Sequence, residues 1–207
     1  MKRAALASVS TSRRPGRPRE FDMDIALDRA VRVFSERGYH GTSITDLTHV
    51  MNLAQGSIYK AFKDKQGVFL AAFQRYRSIR TEKLRKAIGD SGSGLERLRR
   101  ALGFYVESAH GEEGRQGCLV VGSAAEISTF DLEVARHITT ELERNEALLT
   151  DLVRQGQNDG SIPSHVDSET SARMMLCLVQ GMRVVGKTGR SRDHMQAVVD
   201  IAIKSLH

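Results

Sequence analysis

Cysteine is nearly absent from this 207-residue sequence: Cys118 and Cys177 are the only two. That is too few for a disulfide framework and agrees with a reducing compartment. No stretch approaches the ~18 apolar residues that a membrane span requires, and the N-terminus lacks the apolar block of a signal peptide. A cytoplasmic protein with no membrane contact is therefore expected. Proline is scarce as well, and two of the three prolines, Pro15 and Pro18, fall in the first twenty residues. The sequence also lacks the local patterns of common enzyme chemistries. It has no Walker-type phosphate loop, no GxGxxG, no HExxH and no GxSxG elbow, and its seven histidines are scattered singly. No catalytic residue, metal site or cofactor is expected. Without an acidic cluster, a strongly cationic ligand is not expected either.

What is present is enough apolar material for a real core: 40% of residues are hydrophobic and 27% charged, which accommodates one or two domains. The charge is unevenly placed. Residues 1–20 carry six cations against Glu20, a net charge of +5, while the whole chain carries +6. This segment, with SVSTSRRPGRPRE at its core, is rich in Ser, Arg, Gly and Pro and has no apolar periodicity, so it reads as a disordered basic arm. Arms of this kind enter the narrow minor groove of A·T-rich DNA, and Arg14, Arg17 and Arg19 are the candidate residues.

Beyond the arm the pattern is helical almost throughout. A first helix carries the stripe Ala26, Ala30, Val33 and Phe34, with Asp22 as its cap and Gly38 as its stop. Ser43 and Asp46 form a capping box for a second, with Ile44, Leu47, Val50 and Met51 inward. Asn52 then supplies the left-handed residue of a tight turn. In the following LAQGSIYKAF, Ile58, Ala61 and Phe62 form one buried stripe, while Gln55, Gly56, Tyr59, Lys60 and Lys63 point the other way. Two short helices, the second with a polar and basic outer face, make a helix-turn-helix, and double-stranded DNA is the expected partner.

The stretch FSERGYHGTSITDLTHVMNLAQGSIYKAFKDKQGVFLAAF closely resembles the DNA-binding domain of TetR-family transcriptional regulators. It shares the Gly-aromatic-x-Gly-Thr-Ser entrance, the Gly-Ser-Ile-Tyr-x-x-Phe recognition helix and the Lys that leads into the next helix. Two positions depart from the family pattern: Asn52 stands where Gly is usual, and Ala54 where many members have a capping Ser. The resemblance implies that Thr45, Gln55, Gly56 and Lys60 approach bases, and that Thr42, Ser43, Tyr59 and Lys65 contact phosphates. Ser57 and Lys63, beside them, are expected to join the phosphate contacts. The side-chain chemistry agrees independently, since Gln pairs bidentately with adenine, Lys donates to guanine, and hydroxyls serve phosphates.

The expected architecture is all-α: the arm over residues 1–20, a three-helix helix-turn-helix domain over 21–66, and a helical effector-binding and dimerisation domain over 67–207. A long helix runs from Lys65 to about Gly89, SGSG breaks it, and a helix from Leu95 to Val106 ends in the turn HGEEGRQG. A helix opening at Cys118, a long one from Leu132 to about Asn158, and two terminal helices complete the chain. The last two are apolar on more than one side, which suggests a homodimer closed by a four-helix bundle, with Val179, Met182, Val198, Val199, Ala202 and Leu206 at the interface.

Phe73, Tyr76, Phe104, Tyr105, Cys118, Val121, Phe130, Met175, Leu178 and Met182 are candidates to line an effector cavity. A small apolar or weakly polar organic molecule is the expected occupant. As the resemblance implies, the protein would be a repressor on a palindromic operator, released by that effector. Two alternatives remain. Cys118, with Arg115 nearby, could be a low-pKa thiol that senses oxidants or electrophiles, and the chain could instead be a DNA-binding architectural protein without sequence preference.

Overall fold

The computed structural model describes residues 20–206, so Arg14, Arg17 and Arg19, and nearly all of the basic arm, lie outside the described residues. Ten α-helices account for most of the described chain: α1 (Glu20–Arg37), α2 (Ile44–Met51), α3 (Gln55–Phe62), α4 (Lys65–Ile88), α5 (Gly94–Ser108), α6 (Gly111–Gln116), α7 (Leu119–Ala125), α8 (Leu132–Asn158), α9 (Ser168–Val185) and α10 (Arg192–Lys204). There is no strand among the described residues, as the all-α reading requires, and no described helix is long and apolar enough to cross a membrane.

Local chemistry sets most of the boundaries. Ser43 and Asp46 form the expected capping box on α2, and Asn52 ends that helix at φ 54°, ψ 45°. Ser93 and Glu96 form a second box on α5, while Asp64, Asp131 and Asp167 cap α4, α8 and α9 with single carboxylates. Each such cap is worth about 1 kcal/mol because it satisfies an otherwise orphaned N–H. Two expectations need correction. The sequence puts the first cap at Asp22, but α1 already starts at Glu20. The segment 110–117 reads as a turn, yet it holds α6. Tertiary packing explains the second, since Gly114 lies against the backbone carbonyls of Ala109 and Gly186, where a side chain would not fit.

Two hydrophobic clusters organise the fold. One gathers α1, α2, α3, the first half of α4, α7 and the start of α8 around Phe34, Leu47, Ile58, Phe69, Leu119 and Ile138. The other joins the end of α4 with α5, α8, α9 and α10 around Leu98, Leu102, Leu152, Met175, Val199 and Ile203. Burying each such side chain contributes roughly 1.5–3 kcal/mol. Because the first cluster includes Leu119, Val120, Val134 and Ile138, the helix-turn-helix rests directly on the larger helical body. Arg75 on α4 strengthens this seat from outside, reaching Asp24 at 2.8 Å and Asp28 at 2.6 Å on α1.

Candidate nucleic-acid interface and effector cavity

Ile58 is fully buried and anchors α3 to the core. That fixes the opposite face outward: Gln55, Gly56, Ser57, Tyr59, Lys60 and Lys63 are all exposed, and Tyr59 keeps 45% of its surface despite its aromatic ring. Nothing stands within 4 Å of where a side chain at Gly56 would begin, so a nucleic-acid backbone or base edge can come close there. Ala54 makes no side-chain cap on α3, so no cap side chain occupies the first N–H groups of this helix. Thr45, in the first turn of α2, is exposed beside this face. Ser43 is exposed too, but its hydroxyl already bonds Asp46 at 2.6 Å.

Thr42 and Lys65 are not available as the resemblance implies. Thr42 is only 1% exposed, and its hydroxyl donates to the Gly38 carbonyl at 2.8 Å. Lys65 turns its ammonium inward, donating to the carbonyls of Tyr39 at 3.0 Å and Thr42 at 3.1 Å, and sits 4.2 Å from the centroid of the Tyr39 ring. The chain between α1 and α2 turns the carbonyls of Tyr39 and Thr42 towards the start of α4, and the Lys65 ammonium donates to both. Both residues hold the corner in place instead of reaching a phosphate.

A second site lies inside the helical body. Tyr76, Phe104, Tyr105 and Cys118 do line one chamber, of about 40 Å³, together with Arg77, Arg80, Val120, Glu141, Val179 and Arg183. The other expected lining residues do not. Phe73 and Phe130 belong to the cluster under the helix-turn-helix, where Phe130 packs on Tyr39 and Phe69 with centroids 5.0 and 5.3 Å apart. Met175 and Met182 fill the other core, and Val121 and Leu178 do not line this chamber, Val120 standing where Val121 was expected. Nor is the chamber apolar. Arg183 is 2% exposed and donates one N–H to the Gly117 carbonyl at 2.6 Å, while Arg80 donates to Ser108 at 2.9 Å and Glu113 at 2.6 Å.

These cations shape the titration of their neighbours. Burial pushes the Cys118 thiol up, but the Arg183 charge, the Tyr76 hydroxyl donating at 3.3 Å, and Arg80 outweigh it and hold the thiol below its ordinary value. Burial raises the Tyr76 phenol, and Cys118 adds to the effect; the Tyr105 phenol is pushed up to about 12, again chiefly by burial. The Glu141 carboxyl is raised by burial against the pull of Arg77 and Arg144. Arg80, Arg183 and Glu141 are the residues that sequence reading missed. A signal existed: Arg80 continues the Phe73 and Tyr76 stripe of α4, and Arg183 is the only charged residue between Met174 and Gly186.

The interface residues need correction as well. Val179, Met182, Val199, Ala202 and Leu206 are all buried within their own chain, because α9 and α10 turn that stripe towards α5 and α8. Of the expected set, Val198 alone is exposed. It is joined on the outward faces by Met174, Val184, Val185 and Ile201, the last 69% exposed.

The chain is similar to known proteins over most of its length. The family model for bacterial regulatory proteins, tetR family, matches residues 26–72, and one described as tetracyclin repressor-like, C-terminal domain, matches residues 94–202. The HTH-type transcriptional repressor ComR of Escherichia coli (strain K12) is 26% identical over 193 residues, covering 91% of this chain and 90% of that protein. The HTH-type transcriptional regulator YezE of Bacillus subtilis (strain 168) is 27% identical over 192 residues, covering 92% and 99%. A similar solved structure is that of a cysteine mutant of the regulator CifR complexed with 26-bp operator DNA. It is 31% identical, with a TM-score of 0.81, over 93% of this chain and all of that one.

Proposed function

The chain belongs to the TetR family of bacterial transcriptional regulators, and from that premise we propose that it acts as a homodimeric repressor that a small ligand in the inner chamber releases from a palindromic operator. Sequence-specific binding to DNA in transcriptional control is its function; it is not an enzyme. One observation carries the reading of that site: Ile58 is buried while Gln55, Gly56, Tyr59 and Lys60 are exposed together, which supports the outer face of α3 as the surface offered to the major groove. Gln55 and Lys60 are assigned to base edges, with Thr45 and Gly56 beside them. Ser43, Ser57, Tyr59 and Lys63 are assigned to phosphates, and the basic arm to the minor groove.

The dimer is assigned to the outward faces of α9 and α10. Met174, Val184, Val185, Val198 and Ile201 form an apolar stripe exposed in the single chain, and a second copy related by a twofold axis would cover it. Nothing crowds Gly181 on the same side of α9, so two such helices can approach closely. A second reading is favoured by the lowered thiol of Cys118: reaction of that sulfur with an electrophile or oxidant would be another route to release. The test is selection of binding sites from a random DNA library by the full chain, followed by footprinting. A single palindrome with two equivalent half-sites supports the repressor, whereas uniform coating of all sequences would mean an architectural protein instead.

A further inference from the structure

The chamber holds a buried cation that is not fully paired. Arg183 is 98% removed from solvent by the enclosing helices, with 2% of its surface exposed. One N–H is taken by the Gly117 carbonyl, but Nε and Nη1 have no hydrogen-bond partner. An unmet buried donor costs ~1–3 kcal/mol and more when charged, so an arginine kept in this state calls for an acceptor that comes and goes. Arg80 lines the same chamber, and its charge is balanced by Glu113. That leaves Arg183 as the cation without a carboxylate of its own.

A larger cleft of about 660 Å³ adjoins the chamber between α4, α5 and α8. Arg77, Thr81, Leu84, Glu141 and Asn145 line both. Leu84, Ile88 and Leu148 give the cleft an apolar floor, and the two spaces together carry six arginines against three carboxylates. A chamber of about 40 Å³ has room for a planar head group and not for a whole organic molecule, while the cleft beyond it suits an apolar body.

We infer that the chamber is the head-group subsite for a small organic carboxylate, which meets the unpaired Arg183 donors while its apolar body lies in the adjoining cleft. This rests on the reading of the chain as a ligand-released regulator and gives its effector a chemical class. The carboxylate accepts from Arg183, with Arg80 and the Tyr105 hydroxyl on the same wall. Glu141 opposes it, and Arg77, 3.7 Å from Glu141, moderates that opposition. The two arginines also hold the two ends of α6, Arg80 through Glu113 and Arg183 through Gly117. α6 in turn rests against α1, where Arg32 lies 3.9 Å from Glu112 and Gly117 packs near the Ser35 carbonyl. An anion that draws Arg183 inward weakens its hold on Gly117, and α1, the first helix of the DNA-binding domain, is the next element to feel it.

The test is calorimetric titration of the full chain with benzoate and octanoate, with benzamide and octanamide as neutral counterparts and inorganic phosphate as a rival anion. At least one carboxylate should bind, and its amide roughly thirtyfold more weakly or not at all, as expected when a buried charge is left without its partner. Arg183→Gln should abolish the binding. Because that change also releases Gly117, Glu141→Gln provides an independent arm: it removes the opposing charge, keeps the shape and should tighten the carboxylate several-fold. Amides binding as well as acids, no binding by any carboxylate, or no change in Glu141→Gln would overturn the assignment. So would binding by phosphate alone. Calorimetry needs no DNA, so its failure leaves operator recognition standing, while failure of operator binding by the ligand-free chain would strike the repressor reading separately.

Discussion

Replacing Lys65 with methionine separates a structural lysine from a phosphate-binding one. The methionine retains most of the side chain's length but removes the ammonium that donates to the Tyr39 and Thr42 carbonyls at 3.0 and 3.1 Å and sits over the Tyr39 ring. Losing two charge-assisted hydrogen bonds and a cation–π contact from a half-buried corner should cost about 2–4 kcal/mol. For a chain of this size each kcal/mol lowers the melting temperature by about 2–4 °C, so a fall of roughly 4–16 °C is expected. Lys65→Arg, which keeps the charge but misplaces its donors, should fall in between. Thermal melts at fixed protein concentration measure this directly. The same proteins, titrated with operator over a range of salt below their melting temperature, should show an unchanged log–log slope, because no phosphate contact has been removed. A Lys65→Met protein as stable as the parent, with a slope smaller by about 0.9 per half-site, would show that the ammonium faces DNA and that the corner needs no cation.

Three further outcomes follow from the geometry. Since the Cys118 thiol is held below its ordinary value by Arg183, Tyr76 and Arg80, the thiolate persists to lower pH than in a free cysteine; iodoacetamide labelling of Cys118, read by mass spectrometry against pH, should have its midpoint below that of a model thiol, and Arg183→Gln should move it up. Gly117 adopts φ +88° beside Lys187, so Gly117→Ala should destabilise the chain by about 1–3 kcal/mol in denaturant titration, whereas Gly181→Ala, in open space, should not destabilise the fold. Ile201→Glu on the exposed stripe should yield a folded monomer in sedimentation that has lost operator affinity; a folded dimer would move the interface elsewhere.

The helix-turn-helix was legible because its signals are local. A Ser43–Asp46 box, the left-handed Asn52 and the buried Ile58 each depend on neighbours within four residues, and the structure contains all three, although of the stripe expected with Ile58 Phe62 is only half-buried and Ala61 is exposed. Thr42 and Lys65 were not, because their true partners, Gly38 for one and Tyr39 for the other, are set by how the α1–α2 corner meets α4. The chamber failed for a related reason: periodicity picks apolar residues, yet what gives this cavity its character is Arg80 and Arg183, long side chains that reach it from otherwise apolar faces. On α9 and α10 both faces are apolar, so period alone cannot say which turns inward; only packing against α5 and α8 decides between Val199 and Val198.

The most direct measurement of the central claim is competition binding of Gln55→Ala against operators altered one base pair at a time, with random DNA as the reference and circular dichroism to confirm folding. Gln55 is exposed at the start of α3 with nothing to hold up in the core, so its loss should act on recognition alone. The account predicts a loss of about 1–3 kcal/mol on the operator, relaxed preference at one base pair in each half-site, and nearly unchanged affinity for random DNA. Equal weakening on operator and random DNA, or no weakening on either, would contradict the claim that the outer face of α3 reads the sequence.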